Sequence, residues 1–340
     1  MSLPEIKYCP STLQPGFSTY SPVAQQALFG KRSKKVDHIL PFGSPGKSSE
    51  LARTFNEKRK RISISGVQEK YSLRLEKNVL SLTETSGTHI IKPIPAERLD
   101  LVSDLPANEH VSMQMARQVF GLKAASCGMI FFDDGEPAYI TRRFDYKPDA
   151  TGKYQVEDFA ALLGKSPERE GVDFKYNASY LDIARMIERY VAASTVVMAE
   201  FFRLLIFNYL IANGDAHLKN FSLMETEQGD YILSPAYDLL CTALHIDDNR
   251  LALHHGLYEG DYEEETYAQL GTYTAASFMV FAQKAGMDPA IAKTIIEETM
   301  HGIPRAINLI ERSFLSGAAK QKFIATIEER HRSLVAAAFG

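Results

Sequence analysis

The stretch FNYLIANGDAHLKNFSL, Phe207–Leu223, decides how the rest of the chain is read. An apolar run ends abruptly at Asn213-Gly214-Asp215. His217, Lys219 and Asn220 follow before the chain turns apolar again at Phe221. Asn, Gly and Asp are common turn formers, so Asp215 alone reads equally well as a plain turn residue. Its spacing to Asn220, Asp-x-x-x-x-Asn, carries more. Phosphoryl transfer needs a carboxylate that orients the attacking hydroxyl and takes its proton, and oxygen ligands for the Mg²⁺ that holds the phosphates. An Asp and an Asn on one short loop meet both needs. A further oxygen ligand is expected after a later strand, and SPAYDLL supplies Asp238.

The surrounding chain sets the frame. Its 340 residues are enough for two lobes with a sizeable core. Apolar residues make up 45% and charged residues 24%, as in an ordinary globular protein, and the net charge of −4 gives no overall pull toward nucleic acid or an anionic membrane. Cys9, Cys127 and Cys241 lie far apart, with no CxxC pair to suggest a zinc knuckle or disulfide framework. The N-terminus lacks a basic-then-apolar signal pattern, and Val196–Ala212 is interrupted by Glu200, Arg203 and Asn208 and is short for a spanning helix. A cytoplasmic protein with no membrane segment is expected.

Residues 1–60 read as loop-dominated, with a short helix in SPVAQQALFG. From Ile62 the pattern becomes strand-like: SISGVQEKYSLRL, NVLSL and THIIKPI. PANEHVSMQMARQVFGL opens on Pro106, carries an apolar stripe and stops at Gly121, so it is a helix. CGMIFFDDGEPAYITRRFD reads as a hairpin turning at Asp134-Gly135. Helices follow: QVEDFAALLG, SYLDIARMIERYVAAS, Val196–Ala212, TAASFMVFAQKAGM, PAIAKTIIEETMHG, PRAINLIERSFLSG and a last one, interrupted by a hairpin in FSLMETEQGDYILSP. The expectation is a mixed α+β, bilobal, protein-kinase-like fold, with a sheet-rich lobe over 1–145 and a helical lobe over 146–340.

On this reading the first lobe holds a phosphate-covering turn and a strand lysine. The amides around Ser65, Gly66 and Val67 are the turn, and Lys92 in HIIKPI is the lysine. Glu109, in the helix that follows, either pairs with Lys92 or is a first-turn glutamate favoured by the helix dipole. His217 either packs the turn or contacts phosphate. SPGKSSE and GKSPE lack the earlier glycine of a P-loop. HIDD, His245–Asp248, reads as a loop and KRKR, Lys58–Arg61, as a solvated basic run.

Taken in order, SISGVQEKYSLRL, HIIKP, NEHVSMQMARQVFGL, YITRRFD, EDFAALLG, NGDAHLKNFSL and AYDLL resemble HipA-like serine/threonine kinases, the toxins of bacterial toxin–antitoxin modules. The resemblance runs from about Ile62 to Leu240. It implies Asp215 as catalytic base, Asn220 and Asp238 as Mg²⁺ ligands and Lys92 as the ATP phosphate-binding lysine. It also implies Arg142 and Phe144 as hinge residues meeting adenine through backbone, Asp145 near the ribose, and Ser63 as an autophosphorylated regulatory serine. The phosphate loop carries one glycine, Gly66, as this family does. Because YCPSTLQPGFSTYSP begins at residue 8, the chain resembles the short HipT branch, in which a separate small protein resembles an absent N-terminal subdomain; Ser65 as a second phosphorylated serine fits that branch.

The implied activity is ATP- and Mg²⁺-dependent phosphorylation of an aminoacyl-tRNA synthetase, the tryptophanyl enzyme for the HipT branch. The implied partners are a HipB-like helix-turn-helix antitoxin and a small HipS-like protein, with DNA reached only through the antitoxin. Two other readings share the residues: a catalytically silent binding module in an antitoxin complex, and a small-molecule kinase. A degraded kinase would be expected to have lost Asp215, Asn220, Asp238 or Lys92, and all four are present.

Overall fold

Alternation of apolar and polar residues in Tyr71–Glu76 (β1) turns Tyr71 and Leu73 into a core and leaves the residues between them half-buried. A hairpin through Lys77 and Asn78, both at positive φ, returns the chain as Val79–Leu82 (β2). The structure is a computed structural model and describes residues 5–31, 35–45, 69–147 and 152–336. The phosphate-loop residues Ser63, Ser65, Gly66 and Val67 lie outside the described residues, as does KRKR.

The described chain divides into two units. The first draws on residues 1–114, 125–144 and 309–319. Its sheet has the order β2-β1-β3-β5-β4, with β3 at His89–Pro93, β4 at Cys127–Phe131 and β5 at Pro137–Arg142, and all neighbours are antiparallel. On one face Leu73, Ile91, Ile130 and Ile140 pack with Leu28, Phe29 and Leu40 of the N-terminal segment. Lys92 alternates with Ile91 and so stands on the other face, opposite Tyr139 in the register of β3 with β5. The β4–β5 hairpin turns at Asp134-Gly135, where Gly135 has φ +86°. The helix expected from Pro106 covers Leu105–Gln118, its Pro106 sitting in the first turn, where the missing N–H costs nothing.

The second unit draws on 115–124, 145–308 and 320–340. Its central helix, Ser194–Leu210, is apolar on nearly every side because it is surrounded: Phe201 packs on Phe221, Phe202 stacks on Phe281, and Tyr209 meets Phe278 edge-on. A small antiparallel sheet, β6-β7-β8 (Val156–Asp158, Ser222–Glu225, Tyr231–Leu233), draws one strand from before this helix and two from after it.

Two stretches read as helical differ. QVEDFAALLG begins as a strand, because Val156 pairs with Met224 of β7; the helix starts only at Phe159, after Asp158 caps it by accepting from the Ala161 amide at 2.9 Å. The stretch read as two helices either side of Gly302 is one, Pro289–Arg312, running through Pro304. Its buried stripe of Ile296, Ile303, Ala306 and Ile310 continues past the proline, and that burial outweighs a proline cost of about 3 kcal/mol. Gly302 permits the close approach, since a Cβ there would meet the Phe120 ring at 2.7 Å. No helix among the described residues is long and apolar enough to cross a membrane.

Candidate active site

The loop that follows the central helix is held by polar contacts from several segments. The chain leaves the helix through Ala212 in the left-handed region, φ +51°. Thr242 straps this exit: its hydroxyl donates to the Ala212 carbonyl at 2.9 Å and accepts from the Gly214 amide at 2.8 Å. Asn213 accepts from the Asp215 amide at 3.3 Å and donates to the Asn208 side chain at 2.8 Å and, at 3.5 Å, to the Asp238 carbonyl. Tyr180 donates to the Ala216 carbonyl at 2.9 Å.

Asn220 donates through Nδ2 to the Asp215 carbonyl at 2.7 Å. That bond sets the amide's orientation and leaves Oδ1 as its acceptor face. Tyr237, one residue before Asp238, donates to the Lys219 carbonyl at 2.9 Å and shares a 2.6 Å hydrogen bond with the Ser222 hydroxyl. Asp238 itself lies at φ +54°, a backbone conformation a non-glycine residue adopts at a cost of about 1–3 kcal/mol and which clusters at functional sites. Asp215, Asn220 and Asp238 therefore belong to one hydrogen-bonded construction, with oxygen donors of the hard type that Mg²⁺ takes. Among the described residues no group of three or more His, Cys, Asp or Glu is placed to hold a metal by itself. A pair of oxygen ligands that relies on substrate phosphates for the rest suits Mg²⁺, which keeps few protein ligands.

The Asp215 carboxylate is addressed at Oδ1. Tyr176 donates its hydroxyl there at 2.6 Å, and His217 Nε2 stands 3.7 Å away. Burial pulls the His217 imidazole down to about 4 against the opposing pull of Asp215, so it is neutral near pH 7, and its Nδ1 is buried with no hydrogen-bond partner among the described residues. Burial and then the Asp215 contact push the Tyr176 phenol well above its ordinary value.

Asp248, from the HIDD segment, lies against Gly214, where a Cβ would collide with its carboxylate. Burial raises the Asp248 carboxyl above the usual carboxylate range, with Thr242 and Arg330 opposing and the charge of Asp215 adding. Tyr176, Thr242 and Asp248 were not apparent as members of this site from sequence, where they sit in stretches of no distinctive spacing; Asn213 was visible inside the Asn-Gly-Asp turn.

In the first unit, Lys92 Nζ donates to Glu109 Oε1 at 2.7 Å, with side chains only 7% and 1% exposed, and stands 5.5 Å from the Tyr139 ring centre. A buried ion pair is about as stable as a well-packed apolar pair, so stability alone gives no reason for one here. The Arg142 amide donates to the Ser126 carbonyl at 2.8 Å and its guanidinium to the Ala27 carbonyl at 3.4 Å. The first unit's middle segment ends at Phe144. Asp145, in the second unit, accepts through its carbonyl from the Tyr154 amide at 2.8 Å and lies 3.5 Å from Lys153 Nζ.

Comparison with known proteins places these features in a family. The architecture is a mixed α+β, kinase-like fold, shared with the HipA chain in the Shewanella oneidensis toxin–antitoxin complex of HipA, HipB and operator DNA, at a TM-score of 0.63, 20% identity, and coverage of 81% of this chain and 65% of that one. Residues 62–307 match the HipA-like C-terminal domain, and the chain belongs to that family. "Putative kinase Y4dM" of Sinorhizobium fredii is 36% identical over 204 residues, 55% of this chain and 46% of that protein. A "Putative kinase" of Haemophilus influenzae is 25% identical over 83% of both chains. "Serine/threonine-protein kinase toxin HipA" of Shewanella oneidensis is 27% identical over 57% of this chain and 46% of its own. The match thus spans about half the length of two of these three relatives.

Proposed function

We propose that the chain is an ATP- and Mg²⁺-dependent serine/threonine protein kinase. The observation that carries this reading is the shared construction of Asp215, Asn220 and Asp238, in which Asn220 is bonded to Asp215 and Asn213 to both Asp215 and Asp238. Asp215 orients the acceptor hydroxyl and takes its proton as the hydroxyl oxygen bonds to the γ-phosphorus and ADP leaves with the electron pair of the broken bond. Asn220 and Asp238 would hold Mg²⁺, which would supply neutralisation of the phosphate charge. Lys92, oriented by Glu109, takes the phosphates, and the amides of Ser65, Gly66 and Val67 cover them. Arg142, Phe144 and Asp145 serve adenine and ribose, with Arg142 using backbone other than the amide given to Ser126. His217 enters as a neutral group beside the base.

The resemblance to HipA and the naming of its relatives as kinases support a toxin of a bacterial toxin–antitoxin system. The finer reading, a HipT-type toxin acting in the cytoplasm on an aminoacyl-tRNA synthetase, the tryptophanyl enzyme first, is proposed on the sequence resemblance alone. The Shewanella complex, which contains HipB and operator DNA, supports a HipB-like antitoxin as partner. A small HipS-like protein is the second partner, and Ser63 and Ser65 are the autophosphorylation sites. A silent binding module is the weaker reading, since such a module has no use for the construction around Asp215.

The test is transfer from γ-labelled ATP to tryptophanyl-tRNA synthetase and to the chain itself. Asp215→Asn should lose transfer by about 10²-fold or more while keeping its melting temperature, because it retains the loop's shape and removes the proton acceptor. Equal transfer by the variant overturns the role of Asp215, and a wild type that labels neither protein overturns the named substrate and the autophosphorylation.

A further inference from the structure

We infer that Tyr176 is a positioning residue for the phosphoryl-transfer step, pinning one oxygen of Asp215 so that the other is presented to the acceptor hydroxyl. The inference rests on the kinase reading above. Three observations carry it. First, the Tyr176 hydroxyl reaches Asp215 Oδ1 at 2.6 Å, a short charge-assisted bond, and His217 Nε2 approaches the same oxygen from 3.7 Å. The side chain remains 44% exposed, so Oδ2 is the oxygen left for an incoming hydroxyl. Second, the phenol is itself held. Its ring stacks on His254 with centroids 5.8 Å apart and meets His217 edge-on at 5.2 Å, and Lys175 Nζ lies 4.9 Å from its centre. Third, the segment bearing it is tied to the catalytic loop and to the segment at His254. The Lys175 carbonyl accepts from the Leu218 amide of the catalytic loop at 3.0 Å, and the Tyr176 carbonyl from the His254 amide at 2.9 Å.

Phosphoryl transfer passes through a loose transition state in which the protein contributes mainly position and charge. Fixing the carboxylate's rotation therefore matters to the rate, because misplacing a reacting group by about 1 Å costs on the order of 10²-fold.

The test is Tyr176→Phe, which keeps the ring contacts and deletes only the hydroxyl, measured alone and combined with Asp215→Asn. Transfer to the chain itself and to tryptophanyl-tRNA synthetase is followed with ATP hydrolysis and the melting temperature. We expect kcat to fall about tenfold, with the KM for Mg·ATP and the melting temperature unchanged, and no further loss when Tyr176→Phe is added to Asp215→Asn, since the hydroxyl acts only through that carboxylate. Wild-type kcat in Tyr176→Phe, or losses that multiply in the double variant, overturns the inference and leaves the kinase reading standing. A wild type that neither labels a protein nor hydrolyses ATP overturns the kinase reading and the role of Tyr176 with it.

Discussion

The Asn220 side chain donates to the Asp215 backbone carbonyl at 2.7 Å, so two residues with different duties share one rigid turn. The amide's donor end is spent on structure, and its oxygen end is the one the proposed Mg²⁺ role would use. Asn220→Ala therefore removes both a loop tie and an oxygen donor, whereas Asp238→Ala removes a carboxylate and keeps the Cβ that makes its left-handed backbone costly.

Both substitutions are expected to weaken Mg²⁺-dependent ATP binding by about tenfold or more, since each deletes a hard oxygen ligand. Calorimetric titration of ATP with and without Mg²⁺ separates this from a folding defect. Asp238→Ala should leave the metal-free affinity and the melting temperature near wild type. Unchanged Mg²⁺ dependence in both variants removes these residues from the metal site.

Lys92 and Glu109 give a stability signature that is distinct from the nucleotide role proposed for them. Breaking a buried pair from one side strands a charge and costs about 3–5 kcal/mol, so Lys92→Met and Glu109→Leu should each be strongly destabilising in urea. The double variant should regain most of that loss, because two apolar side chains replace two charges, yet ATP binding should stay lost. A double variant no more stable than the singles shows that the pair is not an isolated unit.

Acid should destabilise the first unit through His89 and His110. Both are held down to about 4 by burial, His89 with Nε2 donating to the Leu28 carbonyl at 2.9 Å and His110 to that of Ser11 at 2.7 Å. Their folded values lie below the unfolded value near 6.5, so the unfolded chain binds the extra proton. Their contribution is complete above about pH 6.5 and is lost as pH falls toward 4, by up to about 3 kcal/mol each. Urea unfolding at pH 7.5 and pH 5 should show the drop, and His110→Gln should flatten it; a flat profile in the wild type contradicts neutral burial.

Gly214 should be intolerant of any side chain. A Cβ would enter the Asp248 carboxylate, so Gly214→Ala should displace the loop and depress transfer at least tenfold, a barrier change of about 1.4 kcal/mol. Combining it with Asp248→Ala makes room and should restore part of the activity. No recovery in the pair would mean that the Gly214 backbone, and not the collision, sets the requirement.

Sequence alone determined the parts whose cause is local. Period-two alternation marked β1, a β-branched apolar run marked β3, Asp-Gly marked the β4–β5 turn, and a proline start with an apolar stripe marked the helix carrying Glu109. The Asp215–Asn220 spacing exposed the candidate loop because both residues come from one short run of chain. Tertiary structure decided whatever depends on partners distant in sequence. Whether Val156–Asp158 is strand or helix turned on pairing with β7, and the helix through Pro304 turned on burial along its whole length. Tyr176 and Asp248 reach the loop from 39 and 34 positions away in the chain, with hydroxyl and carboxylate groups that are ordinary at the surface. Periodicity records which face of an element is buried, but not which side chain from another segment will be buried against it.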